Sequence, residues 1–170
     1  MFAALDWSGT AAYGLGLNCL YINRAGRESD GIVAEDQVPG LLSRLKRDLE
    51  SVTDPATGRQ VVTNAFITSQ YYGRQLPPYA PDMIIGYARG YRASWETTLG
   101  SFPQEVITDN MDPWSGTHCI DPSAVPCTLL SSRSLTVDDP DLRDMGRSIV
   151  SLFDVPDLPA GGRIIFQGEG

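Results

Sequence analysis

Apolar residues recur at helical spacing in two parts of the chain. Residues 38–52 present one apolar face among charged positions, formed by Leu41, Leu42, Leu45, Leu49 and Val52. Residues 142–153 present a second, formed by Leu142, Met145, Ile149, Leu152 and Phe153. Asp139 is predicted to cap this second helix, with Pro140 at its first helical position. The pattern therefore predicts two amphipathic helices.

Short apolar or alternating runs predict strands. They lie at residues 17–22, 61–67, 82–87, 105–108 and 127–131. Because 17 glycines and 12 prolines are spread along the chain, the elements should be short and the loops many. Extended or irregular loops are expected at 75–81, 89–100 and 109–126. Strands mixed with helices predict an α/β or α+β fold.

Length and charge restrict the classes of function. A chain of 170 residues and 18.5 kDa corresponds to one ordinary domain or a piece of a larger one. Thirteen Lys and Arg against 21 Asp and Glu give a formal charge of −8. That charge argues against a nucleic-acid or anionic-membrane partner, since both require a basic surface. A phosphate-containing substrate stays compatible, because a bound metal can reverse the local field.

The cysteines and the apolar runs indicate where the protein resides. Cys19, Cys119 and Cys127 are odd in number and widely spaced, which disfavours a disulfide framework and favours a reducing, cytoplasmic compartment. The apolar runs are too short to span a bilayer, and residues 1–6 lack the pattern of a signal peptide. A cytoplasmic protein is expected.

The candidate chemistry lies between residues 109 and 119, where His118 is the only histidine of the chain. Neutral imidazole is a common zinc ligand, and a catalytic zinc takes about three protein ligands. Acidic residues lie nearby in sequence at Asp109, Asp112 and Asp121. A hydrogen-bonded structural histidine is the alternative interpretation. Cys119 next to His118, together with Cys127, could instead hold a structural zinc, although the cysteines do not form a CxxC pair and Cys127 suits a core thiol.

Two arginine-containing segments are further candidates. Residues 23–27 hold two arginines that could bind an anion, with a solvated turn as the alternative. A substrate pocket is the second possibility, because the guanidinium fork matches phosphate geometry. Its candidate lining is Arg89, Tyr91, Arg92 and Trp95. Structural contacts between these arginines and carboxylates are the alternative there.

Several segments, in consistent order along the chain, resemble one enzyme family. They read DWSGTAAYGLG at 6–16, LYINRAGRE at 20–28, PDMIIGY at 81–87, GYRASW at 90–95 and WSGTHC at 114–119, and 141–155 resembles a closing helix. The family is the type I phosphodiesterase/nucleotide pyrophosphatase-like branch of the alkaline phosphatase superfamily. The segment that contains His118 resembles its last metal-ligand motif, with Thr117 where Asp is often found.

The resemblance implies a phosphohydrolase or phosphodiesterase with two divalent metals, usually zinc, and a Thr or Ser nucleophile. It implies that His118 is a ligand of one metal. The nucleophile motif, the first metal-binding Asp and the Asp-His pairs precede the matched part, so the chain resembles the C-terminal portion alone. Within an alkaline phosphatase-like sandwich, residues 1–100 would be a small α+β insertion. Residues 101–170 would return to the core sheet with the last ligand and the closing helix.

Two functions follow as expectations. The first is the C-terminal portion of a metal-dependent hydrolase, inactive alone, whose phosphate-ester substrate binds only when the missing N-terminal part is present. The second is a catalytically inactive interaction or scaffold module derived from that fold. In either case unpaired sheet edges and apolar faces would favour self-association or pairing with an N-terminal half.

Overall fold

The computed structural model describes residues 5–73, 76–98, 101, 103–117, 119–153 and 161–166. The chain divides into two compact units, Met1–Pro126 and Cys127–Gly170. The predicted roles of residues 1–100 and 101–170 stay predictions. Among the described residues, no helix is both long enough and apolar enough to cross a membrane.

The first unit is built on an antiparallel sheet. Its strands are β1 (Ala12–Leu15), β2 (Cys19–Ile22), β3 (Val62–Ile67) and β4 (Met83–Tyr87). In the described part of the unit they pair in the order β1-β2-β4-β3, so β2 and β4 are central. The predicted mixture of strands and helices is confirmed, and the predicted strands at 17–22, 61–67 and 82–87 correspond to β2, β3 and β4.

Helix α1 (Val38–Glu50) covers the sheet, as the apolar spacing predicts. Val38 and Leu42 are buried, and the remaining apolar positions of that face are partly buried against the same core. Two polar side chains near the end of α1 form hydrogen bonds with the backbone of one residue in the edge strand β3. Glu50 accepts the Ala65 N–H at 2.9 Å, and Lys46 donates to the Ala65 carbonyl at 2.9 Å. This contact shields part of an otherwise open strand edge.

The two arginines of the 23–27 turn bind a buried carboxylate. Asp82, just before β4, accepts from the Ile22 N–H at 2.7 Å and from Arg27 at 2.8 Å, and it pairs with Arg24. The Arg24 and Arg27 side chains are only 24% and 22% exposed. The solvated-turn interpretation is therefore wrong. Asp82 pairs with both arginines, so their charge is not available to an external anion.

Two predicted strands are absent from the described structure. Residues 105–108 and 127–131 form no strand, because no other described segment pairs with them. Val106 and Leu130 are 94% and 89% exposed, although Ile107 is partly buried against the core. Two short helices occur where loops or strand ends were expected. They are α2 (Thr68–Tyr72) and α3 (Trp95–Thr98).

The second unit contains helix α4 (Leu142–Ser151) and a bridge between Leu135 and Phe166. The helix is capped by Asp141, whose side chain accepts the N–H groups of Arg143 and Asp144. The prediction that Asp139 caps it is wrong by two residues, because Asp141 and Asp144 form the reciprocal capping box.

The buried side of α4 is polar. Asp144 and Ser148 are buried, while Leu142 and Phe153 are 87% and 73% exposed. Asp144 binds the Arg163 guanidinium at 2.6 Å, and Ser148 accepts the Ile165 N–H at 2.9 Å. The predicted apolar face thus exists in the sequence, but within the described residues it faces outward.

Candidate functional site

The segment around the candidate ligand reaches the sheet at the carboxyl end of β4. Ile120 forms a parallel bridge with Tyr87, and the Asp121 N–H donates to the Tyr87 carbonyl at 3.0 Å. Residues 109–116 before this anchor are exposed. The end of a central strand therefore fixes where the exposed loop meets the fold.

Asp121 is the anchor of this segment. It is fully buried and caps the short 3-10 turn Pro122–Ala124 by accepting the Ser123 N–H at 2.9 Å. Its other oxygen accepts from the Asn64 amide at 2.8 Å. Burial by itself would raise the pKa of Asp121, but the hydrogen bonds from Ser123 and Asn64 outweigh it and lower that pKa below its ordinary value. The carboxylate is therefore charged and committed to structure.

Gly86 makes room for this carboxylate. A Cβ built on Gly86 would overlap Oδ2 of Asp121 and would lie 3.1 Å from the carbonyl oxygen of Asn64. The backbone of β4 can approach the Asp121 side chain only because position 86 has none. The sequence indicates Asp121 only as a candidate metal ligand. It does not predict that this side chain contacts β4 at Gly86, although Asp121-Pro122-Ser123 is typical of a helix N-terminal cap.

His118 itself lies outside the described residues, so its assignment as a metal ligand stays a prediction. Its neighbours in sequence are described and half-buried. The Cys119 N–H donates to the Thr117 hydroxyl oxygen at 3.2 Å. Thr117 and Cys119 thus have defined positions on both sides of the candidate ligand.

The three cysteines differ in their surroundings. All three are free. Burial raises the pKa of Cys19, and the charge of a Cys119 thiolate would raise it further, which brings these two side chains into one neighbourhood. Cys127 is exposed, so the prediction of a core thiol is wrong.

The His, Cys, Asp and Glu side chains of the described residues do not by themselves form a metal site. Over the described ranges, no group of three or more His, Cys, Asp or Glu side chains could hold an ion. Asp109 and Asp112 are exposed in the loop, and Asp121 is already bonded to Asn64 and Ser123. No catalytic step is therefore assigned to a metal held by the described residues.

A small cavity lies beside the same loop. Its volume is about 50 Å³, and it is lined by Leu17, Arg92, Ala93, Trp95, Gly116 and Thr117. The Arg92 guanidinium lies over the Trp95 ring, 4.9 Å from its centroid. Arg92 and Trp95, two of the predicted pocket residues, therefore converge on the residues that directly precede His118 in sequence.

The other two predicted pocket residues have structural roles. The Tyr91 hydroxyl donates to Asp54 at 2.8 Å, and the Arg59 guanidinium lies over the Tyr91 ring. Arg89 contributes its carbonyl oxygen to Arg59 at 2.8 Å, while its side chain is exposed. Leu17 and Thr117 line the cavity and were not predicted to do so, because the register of β1, β2 and the loop that brings them there is a tertiary property.

No family model, curated protein or solved structure matches the chain.

A second, wider cavity of about 440 Å³ lies over the start of α1. Its lining is Ala11, Ile32, Val33, Gln37, Gly40, Leu41 and Arg44. It contains none of the candidate residues, so the cavity at Arg92 is the better candidate site.

Proposed function

We propose that the chain is the C-terminal portion of a metal-dependent phosphohydrolase or phosphodiesterase with an alkaline phosphatase-like sandwich. In this proposal His118 is one ligand of a divalent metal, zinc by resemblance. Polypeptide outside residues 1–170 supplies the Thr or Ser nucleophile and the remaining ligands, since this sequence has one histidine. The bound metals would stabilise negative charge on the phosphoryl oxygens.

One observation carries this proposal. The bridge of Ile120 to Tyr87 and the burial of Asp121 anchor the segment that follows Cys119 at the end of a central strand. The cavity lined by Arg92 and Thr117 adjoins that segment. A ligand carried on an anchored loop next to a cationic cavity is an arrangement suited to phosphoryl chemistry.

The net charge of the chain and its cysteines bear on the substrate, the partner and the location in this proposal. The substrate is a phosphate ester and the partner is an N-terminal half or a second copy, with no nucleic acid and no membrane. The acidic composition supports both exclusions. A cytoplasmic location is supported by three free cysteines.

The test uses the coding DNA and the protein that it encodes. We expect an in-frame continuation ahead of Met1 that carries a Thr or Ser nucleophile and Asp-His pairs. The corresponding long protein should hydrolyse bis(p-nitrophenyl) phosphate with zinc, and His118→Ala should remove most of that turnover. His118→Ala with unchanged turnover and unchanged zinc content would overturn the assignment. Tight binding of two zinc ions with turnover by residues 1–170 alone would overturn the need for outside ligands.

A catalytically inactive interaction module is the second candidate, and the outward apolar face of α4 favours it. Leu142 on that face is 87% exposed, and Phe153, which follows the end of the helix, is 73% exposed. An independent start of translation at Met1, together with a stable complex that survives chelation of metals, would support this module over the hydrolase.

A further inference from the structure

The cavity beside Thr117 has side chains that donate hydrogen bonds. Arg92 and Trp95 can donate and cannot accept, because a guanidinium and an indole have no acceptor site. The Thr117 oxygen already accepts from the Cys119 N–H, which leaves its hydroxyl proton to donate elsewhere. A ligand that satisfies these three side chains must itself be an acceptor.

The charge of Arg92 also favours an anionic ligand. Arg92 is half-buried, and no carboxylate of the described residues pairs with it. By contrast Arg27 and Arg163 are each bound to a buried aspartate. The Arg92 guanidinium contacts the Trp95 ring instead, which orients the fork without neutralising it. The cavity therefore retains a positive charge that an anion can use.

The size of the cavity limits the ligand. Its volume of about 50 Å³ corresponds to a few water molecules, since one water needs at least about 10–15 Å³ by this measure. Sites for whole drug-sized ligands or cofactors occupy about 300–1,000 Å³, so a nucleoside does not fit inside. Leu17 and Ala93 give the cavity apolar walls, which strengthen an ion pair by excluding water. A tetrahedral oxyanion matches the volume, the charge and the donors.

We propose that the cavity between Arg92, Trp95 and Thr117 is an oxyanion subsite that binds a phosphoryl group through the Arg92 fork and the Thr117 hydroxyl. Assigning that group to the substrate rests on the proposed function. Binding of the anion itself does not, because it requires neither a metal nor His118. Arg92 is then the residue that selects for a tetrahedral anion.

The experiment titrates the full chain with inorganic phosphate in chelator, at constant ionic strength. The readout is the indole N–H resonance of Trp95, assigned by comparison with Trp95→Phe. We expect a saturable shift with a dissociation constant on the order of millimolar. Arg92→Gln should weaken binding at least about tenfold. Arg89→Gln is the matched control from the same segment, and it should bind like wild type because its side chain is outside the cavity.

Arg92→Lys keeps the charge and removes the fork, so it serves if Arg92→Gln does not fold. We expect weaker phosphate binding in Arg92→Lys. Unchanged affinity in Arg92→Lys, an equal response to chloride, or no saturable shift in wild type would overturn the subsite.

A competition arm separates the two sources of the anion. Phenyl phosphate should displace inorganic phosphate if the cavity holds the phosphoryl group of an ester. If it does not, the cavity takes the free anion alone and its assignment to the substrate is overturned. Because metals are chelated, each of these failures leaves the test of His118 in the long protein unaffected.

Discussion

The Asn64 amide donates a 2.8 Å hydrogen bond to Oδ2 of Asp121. It joins β3 to the segment that follows the candidate ligand, across 57 positions of sequence. Asp121 is fully buried, so this bond and those from Ser123 compensate the cost of burying its charge. The position of the segment after the candidate ligand therefore depends on a polar contact inside the first unit.

Exchanging the two groups tests this contact. Asn64→Asp would set two carboxylates against each other and should lower the free energy of unfolding by about 2 kcal/mol at pH 7. The double variant Asn64→Asp with Asp121→Asn restores one amide and one carboxylate, and it should recover much of the loss. Urea unfolding of wild type, both single variants and the double variant measures the coupling. Strict additivity would contradict the contact.

Gly86 offers a steric test of the same region. Gly86→Ala places a methyl group against Oδ2 of Asp121 and should cost about 1–3 kcal/mol of stability. Gly14→Ala is the matched control in β1, because its nearest neighbour would be the Cys19 carbonyl oxygen at 3.9 Å, an ordinary contact. Thermal melts of both variants suffice. Equal melting temperatures would show that β4 does not approach Asp121 closely.

Asp82 and Glu35 allow a comparison around one arginine. Both pair with Arg24, but the Asp82 side chain is 4% exposed and that of Glu35 is 79% exposed. Asp82→Ala removes the buried carboxylate that Arg24 and Arg27 share, so that Arg24 keeps only Glu35 and Arg27 keeps only Glu28, and it should cost about 3 kcal/mol. Glu35→Ala should cost less than about 1 kcal/mol. Denaturant midpoints with matched slopes measure the difference, and similar losses in the two variants would argue against the buried cluster.

The pair Asp144–Arg163 predicts acid sensitivity of the second unit. Hydrogen bonds from Arg163 hold the pKa of Asp144 well below its ordinary value, so the folded state binds that proton less readily than the unfolded state. The stabilisation is complete above the unfolded pKa of about 4, and it is lost as pH falls toward the lower folded value.

Hydrogen exchange at the Ile165 amide, between pH 6 and pH 3, monitors this loss after correction for intrinsic rates. Asp144→Asn should already be less protected at pH 6 and should change less on acidification. Arg147→Gln is a control on the same helix, because Arg147 has no ion pair among the described contacts. Protection in Asp144→Asn that matched wild type at both pH values would refute the role of the pair.

The outward apolar face of α4 predicts self-association of the isolated chain. Replacing Leu142 and Phe153 by Glu should shift the protein toward monomer without loss of stability, because both side chains are exposed. Leu130→Glu is a control with similar exposure, 89%, outside any helix, and it should have a smaller effect. Light scattering after size exclusion measures the mass. A wild-type chain that stays monomeric at high concentration would contradict the expectation.

Local pattern was enough for the elements that bury apolar side chains. Helix α1 and strands β2, β3 and β4 follow the spacing of apolar residues, because each has to present one face to the core. The same reasoning failed at 105–108 and 127–131, since a strand also needs a neighbour to pair with. At α4 it predicted the helix correctly but not its buried side, which is formed by Asp144 and Ser148.

The sequence by itself determined the types of chemistry that are available: one histidine, an acidic charge, and two arginines beside a tryptophan and a tyrosine between residues 89 and 95. Tertiary structure alone decided which of these groups share a site. It assigned Tyr91 to Asp54, Asp121 to Asn64, and Arg92 to a cavity beside Thr117. The physical reason is that apolar periodicity is a local property, whereas the partner of a polar group depends on strand register and loop path between residues far apart in the chain.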